Sequence, residues 1–274
     1  MNRKLNLMAT AWALLAATCH ADELGDKGRE VFKKNQHAVV TVQEVLKVTY
    51  SGGGRSSNPN EIKQDLTGTV LDPSGLTVLA LSAVDPAELG RRLSEEYKVE
   101  TEVNDLKILL DDGTEVPSEI VLRDKDLDLA FIRPKTKPSA PMAAVDFSKS
   151  STVEMLEPVI ALNRLNRASG RAYSASVERI DAVIQKPRTF YIPDAGQSTT
   201  SLGSPAFTLN GNIVGIFVMR AVSGGESSGR NRNENMTAIL LPAEEILKGA
   251  KQAPEAKGDA DKAADKAADA KDKK

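Results

Sequence analysis

The chain has 274 residues, of which 41% are hydrophobic and 27% charged, and a formal net charge of −2 at pH 7. That is an ordinary composition for one large or two small soluble domains. It lacks the basic excess of a nucleic-acid surface, and its single cysteine, Cys19, excludes disulfides, thiolate zinc sites and a cysteine nucleophile from the chain that follows it.

The elements follow in chain order. Arg3 and Lys4 precede an apolar run from Leu5 to Thr18, and small residues lead to Ala21 before the acidic Asp22-Glu23. Charged, apolar and small regions in that order read as a secretory leader cleaved after Ala21. The run is shorter than the ~20 residues of a membrane span. Leu15-Ala16-Ala17-Thr18 before Cys19 loosely suggests a lipidation site, but Thr18 fits it poorly, so plain cleavage is the favoured reading. Membrane attachment is expected only if Cys19 carries a lipid, and the location expected is secreted or periplasmic.

Residues 23–35 (ELGDKGREVFKKN) read as a short helix, and AVVTVQEVLKVTY (38–50) as a strand rich in β-branched residues. SGGGRSSNPNE (51–61) reads as a polar loop. DLTGTVLD (65–72) and LTVLAL (76–81) are strands joined by the turn Asp72-Pro73-Ser74-Gly75. Residues 86–98 read as a helix opened by Pro86. LKILL, Asp111-Asp112-Gly113 and TEVPSEIVLR form a hairpin signal, and LDLAFIRP (127–134) is a further strand. A Pro-rich link, KTKPSAPM, separates two halves of similar size. The second half contains EPVIAL, AYSASVERI, TFYI, SPAFTL, NIVGIFVM and MTAILL, with an Asn210-Gly211 turn and a closing helix at 242–249. After Leu247 no Leu, Ile, Val, Phe, Tyr or Trp occurs, so the Ala-, Lys- and Asp-rich end reads as a solvated, disordered or transiently helical tail. Many short strands at regular spacing point to an all-β barrel or sandwich.

Three segments together resemble the HtrA/Deg type of trypsin-like serine protease. GTVLDPSGLTVLALSAVD (68–85) is similar to that family's strand-turn-strand ending in Thr-Asn-Asn-His-Val-Val. LKILLDDGTEVPSEIVLRDKDLDLAFIRP (106–134) resembles the hairpin leading to its Asp-Leu-Ala-Val-Leu motif. TSLGSPAFTLNGNIVGI (200–216) resembles its Gly-Asn-Ser-Gly-Gly-Pro-Leu-Val loop and the hairpin behind it. The resemblance runs from about His37 to Leu247 and implies two six-stranded antiparallel barrels with a cleft between them. With the leader at 1–21 and the tail at 249–274, the protease-like domain is expected at 22–248. The barrels within that domain are expected at about 36–135 and 145–248. No segment of these residues corresponds to the PDZ domain that many members carry.

Carried over position by position, the triad is depleted. The acid falls on Asp128, which is retained; its plainer reading is an acid bonded locally at a strand start. The general base falls on Ser82, whose hydroxyl cannot accept a proton near neutral pH. The two histidines do not replace it: His20 lies in the leader and His37 at the start of the first strand, where it reads as a surface residue. The nucleophile falls on Leu202, and Thr200 takes the place of the oxyanion-loop glycine. A β-branched residue tolerates unusual backbone angles less well than glycine, so the oxyanion hole is expected to be disturbed. In one protease, loss of the serine or histidine alone costs ~10⁶ in turnover. No catalytic residue is expected to function.

The expectation is a protease homologue without hydrolytic activity that binds a peptide or protein through the cleft or surface loops. The polar loops 51–61 and 220–236 are candidate contact regions, although flexible surface loop is their plainer reading. Two alternatives stand beside it. One is an active serine endopeptidase using Ser82 or Ser204 with a Lys or Asp; the other is a structural envelope protein. No phosphate-binding loop, cofactor motif or metal-ligand spacing is visible, so no cofactor, metal or nucleic-acid partner is expected.

Overall fold

The computed structural model describes residues 23–52, 55–56, 58–93, 98–194, 200–221 and 236–255. The expected leader with Cys19 and His20, the expected tail beyond residue 255 and residues 222–235 of the expected loop lie outside the described residues. Among the described residues, no helix is long and apolar enough to cross a membrane.

Helix α1 (Glu23–Asn35) opens with Glu23 and Asp26 and closes with Lys33 and Lys34, charges that complement its dipole. A 3₁₀ turn (Gln36–Ala38) leads into the first barrel. Its strands are β1 (Val39–Gly52), β3 (Asn60–Val70), β4 (Thr77–Ala80), β5 (Lys98–Leu109), β6 (Glu115–Asp124) and β7 (Leu129–Pro134), with the two-residue β2 (Arg55–Ser56) outside it. They hydrogen-bond in the order β1-β3-β4-β7-β6-β5, and β1 pairs with β5 to close the ring. Helical turn α2 (Leu81–Val84) and helix α3 (Pro86–Leu93) connect β4 to β5. The second barrel is β8 (Pro158–Arg164), β9 (Tyr173–Ile184), β10 (Phe190–Pro193), β11 (Pro205–Phe207), β12 (Ile213–Ala221) and β13 (Met236–Pro242). It closes in the order β10-β13-β12-β11-β8-β9, and helix α4 (Ala243–Ala250) follows it. The molecule is therefore all-β with two closed, six-stranded antiparallel barrels and a few short helices.

Three differences from the sequence reading have physical causes. The segment 51–61 is not simply a loop: β1 runs on to Gly52, paired with Arg55, and β3 starts at Asn60, opposite Val48. Helix α3 is described over Pro86–Leu93, and Lys98, expected in the same helix, begins β5. The sequence signal for β5 starts only at Leu106, yet β1 and β5 pair out to Ser51 and Lys98. In both cases the polar end of a two-stranded ribbon extends beyond the core. Backbone pairing holds it there, and no buried face marks it in the sequence.

Alternation along the strands divides the buried side chains among three cores. Val42, Val70, Leu79, Leu81, Ile108 and Ile132 fill the first barrel. Val159, Ile180, Tyr191, Ala206, Phe217 and Leu240 fill the second. Between the barrels and beneath the terminal helices lie Phe131, Ile160, Phe207, Ile216 and Ile246. Strand β7 explains why LAFIRP reads as an unbroken apolar run. Ala130 and Ile132 face into the first barrel while Leu129 and Phe131 face the inter-barrel core, so both faces are buried.

Candidate functional site

The cleft lies where the β4–α2 turn, the turn before β7 and the loop before β11 meet. Asp128 occupies that second turn with φ 58, a left-handed conformation that Asp tolerates better than most residues. Its carboxylate is buried and accepts three bonds: from the Ser82 backbone N–H at 2.8 Å, the Ser82 hydroxyl at 2.8 Å and the Met219 N–H at 2.8 Å. Its own carbonyl accepts from the Leu81 N–H at 2.8 Å. Asp128 thus joins the β4–α2 turn of one barrel to β12 of the other. Ser82 and Asp128, assigned by resemblance from distant segments, are in direct contact.

The loop carrying Thr200 and Leu202 is seated against the first barrel by glycine geometry. Gly203 has φ 91, and a Cβ built on it would lie 2.1 Å from the Thr67 carbonyl oxygen. Its carbonyl accepts from the Thr69 hydroxyl at 2.9 Å, and its N–H donates to Phe217 at 2.7 Å. Leu202 packs at the margin of the inter-barrel core. Ser204 is fully buried and donates to Asn163 Oδ1 at 3.2 Å, an acceptor it shares with Thr67 at 2.9 Å. Its hydroxyl is therefore committed within the interface between the barrels.

Beside Leu202 opens a cavity of about 290 Å³ whose lining includes Leu66, Thr67, Ala83, Leu165, Ser201 and Leu202. Its walls are largely apolar, with Asp65 and Arg164 at the lining as well, and suit one large side chain of a ligand. On the other side of the loop, the Thr200 hydroxyl donates to the buried Glu178 carboxylate at 2.8 Å, and Ser176 donates to the same oxygen at 2.7 Å. A carboxylate beneath Thr200 is the wrong sign to stabilise a developing oxyanion.

Sequence reasoning missed Asn163 and Glu178, because the partners that tie them to the cleft, Thr67 and Ser204 for Asn163 and Thr200 for Glu178, lie 41 or more and 22 residues away in the chain and share no motif with them. It also missed a cluster around His37. This residue is half exposed, as a surface residue would be, but its Nδ1 lies 2.6 Å from Asp111 Oδ2. Tyr173 bonds Asp111 as well, and the Arg164 guanidinium stacks 3.9 Å over the Tyr173 ring. Burial alone would raise the Asp111 pKa, but the bonds from Tyr173 and His37 outweigh it and hold the carboxyl below its ordinary value. The cluster ties the hairpin turn of the first barrel to β8 and β9 of the second. Among the described residues, no three His, Cys, Asp or Glu side chains gather as metal ligands would.

Comparison with known proteins adds to this picture. A family model described as a trypsin-like peptidase domain matches residues 29–216. Among solved structures, the chain is similar to an HtrA-type protease, AlgW, in a serine-to-alanine form with a tripeptide. The TM-score is 0.51 at 14% identity, and the match covers 81% of this chain and 61% of that one. At that identity the likeness is one of fold. No curated protein matches the sequence.

Proposed function

The chain belongs to the trypsin-like peptidase family, and we propose that it is a non-hydrolytic member that holds an extended peptide or protein segment in the inter-barrel cleft. We place it outside the cytoplasm, as a secreted or periplasmic protein, on the order of charged, apolar and small residues before Asp22.

The observation that carries the reading is the occupation of Asp128. In the triad mechanism this acid orients an imidazole that accepts the nucleophile's proton. Here its two oxygens accept from Ser82 and Met219, a serine stands at the imidazole's position, and Leu202 supplies no nucleophile. Two further observations support the reading. Ser204, the serine beside Leu202 that an alternative constellation would use, is spent on Asn163. The Glu178 carboxylate beneath Thr200 opposes negative charge where acyl transfer would build it. Binding is supported by the apolar cavity beside Leu202 and by the tripeptide on the HtrA-type neighbour of like fold.

The test pairs a fluorophosphonate probe with a peptide-binding measurement on the folded protein. No serine is expected to label, and extended peptides bearing a large apolar side chain are expected to bind. Leu165→Glu, a change at a partly exposed position lining the cavity, is expected to weaken that binding about tenfold or more. Stoichiometric labelling that disappears in Ser82→Ala, Ser201→Ala or Ser204→Ala would overturn the non-hydrolytic reading. Binding indifferent to Leu165→Glu would overturn the assignment of the cleft.

A further inference from the structure

The interior of the first barrel contains an acid that no catalytic or binding role explains. Glu44 lies on β1 between Val42 and Leu46 on the inward face, and all three are buried. Across the sheet it stands opposite Gln64 on β3 and Leu106 on β5, neither of which can carry charge. One carboxylate oxygen, Oε2, accepts from Gln64 Nε2 at 2.7 Å. The other, Oε1, is buried without a hydrogen-bond partner among the described residues.

Gln64 makes a second bond that gives this arrangement a direction. The same Nε2 donates to the Ala83 carbonyl at 3.1 Å. Both contacts are to acceptors, so the amide must present its NH₂ group here, one hydrogen to each. Ala83 follows Ser82 in the turn held by Asp128, and it lines the cavity beside Leu202. A chain of two hydrogen bonds therefore runs from the barrel interior, through one side-chain amide, to the wall of the cleft.

We propose that Glu44 is a proton-operated switch inside the first barrel and that Gln64 transmits its state to the Ser82–Ala83 turn. When Glu44 is neutral, its orphan oxygen carries no full charge and the two Gln64 bonds coexist. When Glu44 ionises, a whole negative charge sits in an apolar barrel with Gln64 as its one hydrogen-bond donor among the described residues. That donor is drawn toward the carboxylate, and its bond to Ala83 weakens. The charged groups acting on Glu44 from neighbouring elements are Asp85, between α2 and α3, and Arg123 on β6. Asp85 disfavours ionisation and is itself bonded by Thr101 of β5; Arg123 favours it. Glu88, one turn beyond Asp85, is taken up by Lys125 at 3.1 Å. Burial is the dominant influence and pushes the Glu44 pKa up to about 7, so the switch would operate near neutrality.

This inference is independent of what the cleft binds, and NMR on the unliganded protein tests it. The Glu44 side-chain carboxyl carbon is expected to titrate with a midpoint about 7. The Ser82, Ala83 and Val84 amides are expected to follow the same midpoint. In Glu44→Gln those amide shifts should flatten. In Gln64→Met the carboxyl should still titrate near neutrality while the amides cease to follow it. A Glu44 midpoint in the ordinary carboxylate range, read on the unmodified protein, overturns the switch even if neither variant folds. Turn amides that do not move across its titration, or that still move in Glu44→Gln, overturn the coupling.

Discussion

Asp128 shows how one residue can outlast the chemistry it resembles. Its carboxylate joins Ser82 to Met219 across the two barrels, so its removal strands a hydroxyl and two backbone N–H groups in a buried place. Leaving buried donors unpaired is costly, and Asp128→Ala is expected to destabilise the fold by about 3–5 kcal/mol in urea unfolding. Asp128→Asn keeps one acceptor oxygen and a side chain that tolerates the left-handed backbone, and should cost clearly less. Equal losses for the two variants would mean that the carboxylate's charge, rather than its geometry, carries the contact. Glu44 makes the opposite contribution. Its folded pKa of about 7 lies above the ordinary 4.5, so the folded state holds its proton more tightly than the unfolded chain does. The associated stability is complete below pH 4.5 and is lost as pH rises through about 7. The shift corresponds to roughly 3 kcal/mol. Glu44→Gln should remove that slope, so its stability relative to the parent protein should rise between pH 5 and pH 8 in paired urea titrations.

At the scale of elements, the connection into β11 has almost no freedom. Gly203 combines φ 91 with a Cβ position 2.1 Å from the Thr67 backbone oxygen. Backbone cannot swing aside as a side-chain tip can, so Gly203→Ala must separate β3 from the loop or distort both. A loss of more than about 3 kcal/mol is expected, with peptide binding failing alongside stability because Leu202 rides on the same loop. Gly113→Ala makes an informative control. It also has positive φ, at 82, but nothing lies within 4 Å of its Cβ, so its cost should be confined to backbone strain. The hairpin ending in Gly113 was legible in advance because Asp-Gly turns have a local cause. The last two residues of β1 and the outer part of β5 were not, because their pairing is with each other across 47 residues of sequence, at Ser51 and Lys98.

Across the whole molecule, each end of the chain braces the barrel that it does not belong to. Helix α1 precedes the first barrel but packs on the second: a Cβ on Gly28 would sit 3.3 Å from Ile160, and Phe32 meets Tyr173 edge to face. Helix α4 follows the second barrel, lies along its β12 and also reaches the first, with Gly249 against Phe131. Beyond α4, the buried Arg133 of β7 donates to the Pro254 carbonyl at 2.9 Å and to Ser74 at 2.9 Å. With a shared core between the barrels as well, they are expected to unfold together. Scanning calorimetry should give one transition whose calorimetric and van't Hoff enthalpies agree. Two resolved transitions would mean that the braces are too weak to couple the barrels.

Local physics made much of this protein readable from its residues. Turn chemistry at Asp72–Gly75, Asp111–Gly113 and Asn210-Gly211 marked the hairpins, alternation and apolar runs marked the strands, and three ordered segments carried the family resemblance. The same residues set the expectation for the cleft, since Leu202 and Ser82 can be read without coordinates. What closes β1 onto β5, commits Ser204 to Asn163, sets Glu178 beneath Thr200 and leaves one Glu44 oxygen unpartnered among the described residues was decided only by the tertiary structure. The reason is range. A turn or an amphipathic strand is written within a few neighbouring residues, whereas a buried polar group finds its partner wherever barrel closure brings the two together.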